Sequence, residues 1–276
     1  MNLIEGVETA ASSRDFSMVF SYMGQDEDEE MRTFRRMRSQ KIAGFIIYPK
    51  DNLTRGEAIW QLFHEHFPFV LIDRYLPELP SAFVGIDNFE AAYNAIEYLI
   101  KLGHREIGFA SMSDINTTTI HDRQAGYLQA LRDHGIEFNE NWMFQSPSIY
   151  TSPIYTNGEK QAELDHLREL FRRKVLPTAV FAINDIIANI LCEAAKAEGI
   201  RIPEDLAVMG FDDDDFAQTN EPPLTTVAQP FKEIGARAAH LLIDKIRGVS
   251  SGLGLERILL PTRLVIRQSC GESQYP

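Results

Sequence analysis

Apolar residues along the chain fall into two alternating kinds of run. Short continuous runs read as strands, and longer stretches with apolar residues every three or four positions read as helices. Residues 2–14 bring Leu3, Ile4, Val7, Ala10 and Ala11 onto one helical face. Phe16–Tyr22 predicts a strand, and Glu27–Gln40 a polar-faced helix with Met31, Phe34 and Met37 inward. Ile42–Tyr48 predicts a strand stopped by Pro49, followed by a helix over Glu57–His66 and strands over Pro68–Asp73 and Ala82–Asp87. Asn88 is suited to cap a helix whose face carries Phe89, Ala92, Tyr93, Ile96, Leu99 and Ile100, with Gly103 just past its end.

The alternation continues to the C-terminus. Glu106–Ser111 predicts a strand, Asp122–His134 a helix, and Glu159–Lys174 a second helix with Leu164, Leu167, Leu170 and Phe171 inward. Thr178–Ile183 predicts a strand, and Asn184 caps a helix running to Glu198. Leu206–Phe211 is a strand, Phe231–Ile246 a strongly periodic helix, and Arg257–Pro261 and Thr262–Ile266 are strands. Strands alternating with helices predict an α/β fold with parallel sheets covered on both faces.

Length turns this pattern into two lobes, since 276 residues exceed the roughly 150 of one domain. No long linker divides them, so several short crossings are expected, with a cleft suited to a small ligand. No run approaches the ~18 apolar residues of a membrane span. MNLIEGVETAASSRD has no basic region followed by an apolar core, so no secretory signal is expected. Cys192 and Cys270 sit in different predicted elements, which argues against a disulfide framework and for a reducing cytoplasm. The formal charge of −13 argues against this chain's own surface binding nucleic acid.

The richest candidate chemistry lies in Leu206–Pro230, where an apolar strand ends in Asp212–Asp215. Ligands of open α/β sheets sit beyond the carboxyl ends of the strands, so Asp212 is placed to accept from ligand hydroxyls. Asp213–Asp215 read as a solvated turn. Catalysis and metal binding find no support. GxSxG, GxxxxGK[ST] and a strand-linked GxGxxG are absent, and Gly252-Leu253-Gly254 falls in a predicted loop. His64-Glu65-His66 lacks the spacing that puts two ligands on one helical face. No cofactor and no enzymatic activity are expected.

Eight segments, in order, resemble the effector-binding core of LacI/GalR-type bacterial transcription regulators. They are Val70–Arg74, Gly85–Asn88, Leu99–Ile107, Asp122–Tyr127, Ala182–Asp185, Val208–Asp213, Pro223–Pro230 and Leu264–Ser269. The resemblance implies two Rossmann-like lobes with parallel sheets joined by three crossings, as in periplasmic sugar-binding proteins. It places the crossings near Ser111–Asp114, Val227–Pro230 and Ser251–Leu255. The lobes are then 1–112 plus 230–252 and 113–229 plus 253–276. It also implies a DNA-binding module and a first core strand preceding this chain's first helix. Without that strand, its neighbours keep unpaired backbone groups and an open apolar face.

By this resemblance, the chain is the ligand-sensing, dimerising core of a cytoplasmic repressor. It takes a sugar or related effector in the cleft and reaches DNA only through the preceding module, a helix-turn-helix or a winged helix. The alternative is a transport-linked sugar-binding protein without its signal segment. Arg123 matches a family arginine that meets effector hydroxyls or carboxylates, a role preferred to that of a surface arginine paired with Asp122 at a helix start. Asp212 matches a family aspartate. Asn184 could contact effector or cap its helix. Asp73 could orient ligand directly or through another side chain, and Gln229 could donate to ligand or satisfy hinge backbone. A sugar calls for an aromatic floor, for which Phe16, Tyr22, Tyr48, Tyr75, Tyr150, Tyr155 and Phe211 are available. Tyr48, at a strand's carboxyl end, is the preferred choice.

Overall fold

A computed structural model describes residues 2–22, 27–49, 56–112, 117–146, 157–173, 175–249 and 256–271. In chain order, α1 (Asn2–Ser12) and α2 (Glu27–Ser39) precede β1 (Phe45–Ile47), α3 (Glu57–His64), β2 (Phe69–Ile72) and β3 (Phe83–Ile86). Next come α4 (Asn88–Lys101), β4 (Ile107–Met112), α5 (Thr118–Asp133), β5 (Met143–Ser146), α6 (Asn157–Arg173), β6 (Ala179–Ala182) and α7 (Asp185–Ala197). The chain continues through β7 (Ala207–Asp212), β8 (Thr225–Ala228), α8 (Phe231–Ile246), β9 (Arg257–Leu260) and β10 (Arg263–Val265). These elements form two compact units.

The first unit comprises Met1–Ile86, Asn116–Thr119 and Pro230–Pro261. Its sheet has the order β1-β2-β3-β9, and all pairs are parallel. Every residue of β2 is buried, as an interior parallel strand requires. α8 packs over this sheet and α1 lies along α8. Two glycines permit that approach: a Cβ on Gly6 would lie 2.0 Å from the Lys232 carbonyl oxygen, and one on Gly235 2.2 Å from that of Leu3. Phe34, Phe45, Ile59, Leu62, Phe69 and Leu71 belong to a further apolar cluster of this unit.

Phe16–Tyr22, expected as a strand, is not one. Among the described residues β1 pairs only with β2, so no ladder reaches this segment. Its first amide, Phe16 N, donates instead to the Ala11 carbonyl at 3.0 Å, closing the end of α1. Val19, Phe20 and Tyr22 are exposed, Phe20 at 71%. Met18 is partly buried against the small cluster of Val7, Ala10 and Ala239.

The second unit comprises Asp87–Ile115, Ile120–Gln229 and Thr262–Pro276. Its sheet runs β10-β8-β7-β6-β4-β5, parallel except for the β10–β8 pair. Phe109, Val180, Phe181, Val208, Met209 and Phe211 are fully buried in it. The Tyr127 hydroxyl donates to the Ile107 carbonyl at 2.8 Å, and burial pushes its pKa up. β5 escapes the hydropathy pattern because Met-Phe-Gln-Ser is a mixed edge strand in which Phe144 is the buried anchor.

The units depart from the expected lobes around two of the three expected crossings. The segment 87–112 belongs to the second unit, because β4 pairs with β6 and β5. The first change of unit therefore falls at Ile86–Asp87, and the chain returns to the first unit only for Asn116–Thr119, just past the expected Ser111–Asp114, part of which lies outside the described residues. β9 pairs with β3 whereas β10 pairs with β8, which puts the last change at Pro261–Thr262. The expected site of that change, Ser251–Leu255, lies outside the described residues, as do Tyr150, Tyr155 and the Gly252–Gly254 loop. The reason is general. Periodicity identifies a strand but says nothing about which sheet it joins. The remaining change, at Gln229–Pro230, falls within Val227–Pro230.

Candidate ligand-binding site

The polar groups of the second unit gather where β6, β7 and β8 end. β7 delivers Phe211 and Asp212, and the parallel register places Asp212 opposite Ala228, directly before Gln229. Asp212 has φ 111° and Asp213 φ 58°, conformations that non-glycine residues rarely adopt. Such strain persists only where the surroundings enforce it, and it concentrates at functional sites. Here the surroundings include Gln229, whose Nε2 donates to Asp212 Oδ1 at 2.7 Å. Gln229 is buried, and its Oε1 finds no partner among the described residues.

Arg123 reaches the same point from α5. Its Nε donates to Asn88 Oδ1 at 2.8 Å, Nη1 donates to the Ile183 carbonyl, and Nη2 lies 3.7 Å from Asp212 Oδ1. The guanidinium carbon stands 3.6 Å above the centre of the Phe211 ring. Arg123 is 5% exposed, so it is a buried cation held by a carboxylate, two neutral acceptors and an aromatic face. This excludes the surface pairing with Asp122. Asn88 is free for this role because Asp87 caps α4, accepting from Glu90 N at 2.9 Å. The helix thus starts one residue earlier than the expected Asn88 cap.

Behind this row stands Asp185. Its Oδ1 accepts from Thr226 Oγ1 at 2.6 Å, and its Oδ2 from the Asp214 amide at 2.8 Å. The carboxylate fits because residue 210 is glycine. A Cβ there would lie 2.0 Å from Asp185 Oδ1. Burial pushes the Asp185 pKa up to about 7, against the lowering effect of these two hydrogen bonds. Burial also raises Asp212 to about 7; Arg123 and Gln229 oppose the rise, and Asp185 and Asp214 add to it. Asp213 does not stand in an open turn. It pairs with Arg267 at 2.6 Å, and Arg267 also donates to the Leu224 carbonyl at 2.8 Å. Asp214 and Asp215 lead into a 3-10 turn over Asp215–Gln218.

Arg123, Asp212 and Gln229 therefore form one cluster. Asn184 borders it and caps α7, its side chain accepting from Ile187 N at 2.9 Å. Asp73 and Tyr48 lie in the first unit, after β2 and β1. Asp73 is buried at φ 63°, its Oδ2 lies 3.8 Å from Arg74 Nε, and the Arg74 guanidinium carbon sits 4.8 Å from the Tyr48 ring centre. Tyr48 itself is 49% exposed.

Sequence reasoning missed Asn88, Asp185 and Thr226, and it preferred Tyr48 to Phe211. Asp185 carried a signal, since an aspartate followed by Ile-Ile-Ala-Asn-Ile-Leu enters a buried helix face. Elsewhere in the second unit, two shallow grooves of about 290 and 400 Å³ share Cys192, Lys196 and Glu221. Lys196 and Glu221 bridge there at 2.9 Å. Neither groove contains the strand-end cluster, and the polar chemistry rather than the volume identifies the site.

Residues 96–270 match the periplasmic binding protein-like domain family. The chain is 32% identical over 271 residues to the HTH-type transcriptional regulator DegA of Bacillus subtilis, covering 97% of this chain and 75% of DegA. Its fold is similar to that of the transcriptional regulator CelR in complex with cellobiose, with a TM-score of 0.82, 29% identity and coverage of 97% and 78%. It is also similar to a LacI family transcriptional regulator from Enterococcus faecium with bound ribose, with a TM-score of 0.78, 27% identity and coverage of 98% and 93%.

Proposed function

The chain belongs to the periplasmic binding protein-like domain family and is homologous to LacI-family transcriptional regulators, and from this we propose that it is the effector-sensing core of a bacterial transcription repressor that binds a sugar or related small molecule. The observation that carries the reading is the buried Arg123, locked over Phe211 beside Asp212 and Gln229. A rigid fork of donors next to strained strand-end acceptors is a preorganised polar site, and nothing in the packing of an apolar core calls for one. The sugars bound to CelR and to the Enterococcus faecium regulator support the effector class.

Effector held by this cluster acts by favouring one arrangement of the two units over another, which requires unequal affinity for the two. In a homodimer that change resets the spacing of paired DNA-binding heads. DNA contact is assigned to a separate module of the intact regulator, consistent with the charge of −13 on this chain. Asp73 and Tyr48 are proposed as further effector contacts, and Asn184 as a cap that also borders the ligand. A thermal-shift screen of neutral sugars, including cellobiose and ribose, tests the reading. A sugar should stabilise the protein, and Arg123→Ala and Asp212→Ala should each weaken its binding at least about tenfold, since losing one partner of a buried charge pair costs roughly 2–5 kcal/mol. Undiminished binding in both variants rejects the site.

A further inference from the structure

The strand-end cluster of the second unit has tied part of its donor set to itself. Of the Arg123 nitrogens, Nε is committed to Asn88 and Nη1 to the Ile183 carbonyl. The third nitrogen, Nη2, stands 3.7 Å from Asp212 Oδ1. The Gln229 amide nitrogen is committed to the same carboxylate oxygen. Two acceptors remain beside these donors: the second Asp212 oxygen and Gln229 Oε1, which is buried and without a partner among the described residues. Charge leans the same way. Asp185, Asp212, Asp213 and Asp214 stand close together against the guanidiniums of Arg123 and Arg267.

Resting on the sensing role proposed above, we infer that Asp212 and Gln229 set a charge filter: the effector meets them with hydrogen-bond donors, hydroxyl or ammonium, and anionic analogues are rejected. A buried, unpartnered amide oxygen is costly until a donor reaches it. A carboxylate or phosphate brought there would find one guanidinium edge, already beside Asp212, and would add like charge to the carboxylates. The usual expectation for an arginine in a ligand site, recognition of an acid through its fork, is opposed here because Nε and Nη1 already donate to Asn88 and Ile183 and Nη2 stands beside the Asp212 carboxylate.

Proton linkage follows from the same geometry. Asp212 faces Arg123 from α5, Gln229 after β8, Asp185 from α7, and Asp214 beyond its own strand. With its pKa near 7, about a tenth of the Asp212 carboxylate is ionised at pH 6 and about nine tenths at pH 8. A ligand donor that needs the ionised form therefore binds about tenfold more weakly at pH 6 than at pH 8.

The test titrates the protein with matched sets: ribose and ribose 5-phosphate; glucose, glucosamine and glucuronate; cellobiose and cellobionate. Binding is read by calorimetry at pH 6 and pH 8. At pH 8, where Asp212 is mostly ionised, the uncharged sugar or the amine of one set should bind, with its acid analogue at least about a hundredfold weaker, as two like charges brought together without solvent allow. Asp212→Asn, close in shape to the native residue and checked for folding by circular dichroism, should narrow that gap to less than about tenfold and flatten the pH dependence. An acid that binds as well as its uncharged partner overturns the filter and leaves the sensing role standing. A folded Asp212→Asn protein that still rejects the acid by a hundredfold also overturns it. If no compound binds, the sensing role fails and the filter with it.

Discussion

The two units are built from the same strand-and-helix alternation, yet they use their polar groups differently. In the second, Arg123, Asp185, Thr226 and Gln229 are buried at the strand ends, where Thr226 and the Asp214 amide donate to Asp185, Gln229 donates to Asp212 and Arg123 donates to the Ile183 carbonyl. In the first, the tightest feature is apolar and helical, the glycine contact between α1 and α8. Its sheet also leaves an apolar segment outside the ladder, with Val19, Phe20 and Tyr22 exposed. The lesson is that the fold determines where a ligand site can form, and the buried polar side chains determine which strand ends carry one.

Close-packed glycines give the largest handle on this difference. Gly210→Ala drives a Cβ into the Asp185 carboxylate, which Thr226 and the Asp214 amide hold in place. The expected cost is about 3 kcal/mol of stability, from overpacking plus a broken buried network, together with loss of effector binding. Gly6→Ala meets the Lys232 carbonyl instead and forces α1 from α8. It should cost about 2 kcal/mol in urea unfolding and leave effector affinity unchanged in the folded protein. If Gly6→Ala abolishes binding as Gly210→Ala does, the contrast between the units collapses.

Acidity has a smaller effect, with a defined sign. Asp185 and Asp212 have folded-state pKa values near 7, above their unfolded values, so folding favours their protonated forms. Their contribution is fully present at low pH and is lost as pH rises through 7. The unliganded protein should therefore be more stable at pH 6 than at pH 8, by about 1 kcal/mol for each group. Asp185→Asn should remove about half of that difference. Effector binding should show the opposite trend, strengthening toward pH 8. Denaturant midpoints across this range, with and without sugar, separate the two, and a flat profile without sugar contradicts the raised pKa values of the pair.

The smallest effect concerns the first unit. Tyr48→Ala removes the ring beside Arg74 and should change stability by only about 0.5 kcal/mol, as for an exposed cation–aromatic contact. A tenfold loss of effector affinity in that variant would make Tyr48 a binding residue, and an unchanged affinity would leave Phe211 as the aromatic that matters.

Most elements of the fold were legible because their faces repeat at helical spacing or form short buried runs. Sheet membership was not legible. β4 has the same apolar character in either sheet, and only its pairing with β6 assigns it. Phe16–Tyr22 shows the converse. Its residues suit a strand, but strand structure depends on a neighbour, which the described residues do not supply. In the site, Arg123, Asp212 and Gln229 were marked by their segments. Asn88 was hidden by adjacency, since either Asp87 or Asn88 could cap α4, and only the contact with Arg123 separates their roles. Asp185 was marked by the apolar helix face that follows it, but its partners were hidden because its place depends on the bare Cα of Gly210, a packing fact that no periodicity encodes.

The central claim is that effector is held by the strand-end groups of the second unit. The most direct measurement is a crystal structure with the neutral sugar that gives the largest thermal shift. The account predicts sugar hydroxyls within about 3 Å of both the Asp212 carboxylate and Gln229 Oε1. Sugar seated instead in the groove lined by Asn189, Cys192 and Lys196, with Asp212 and Gln229 untouched, would contradict it.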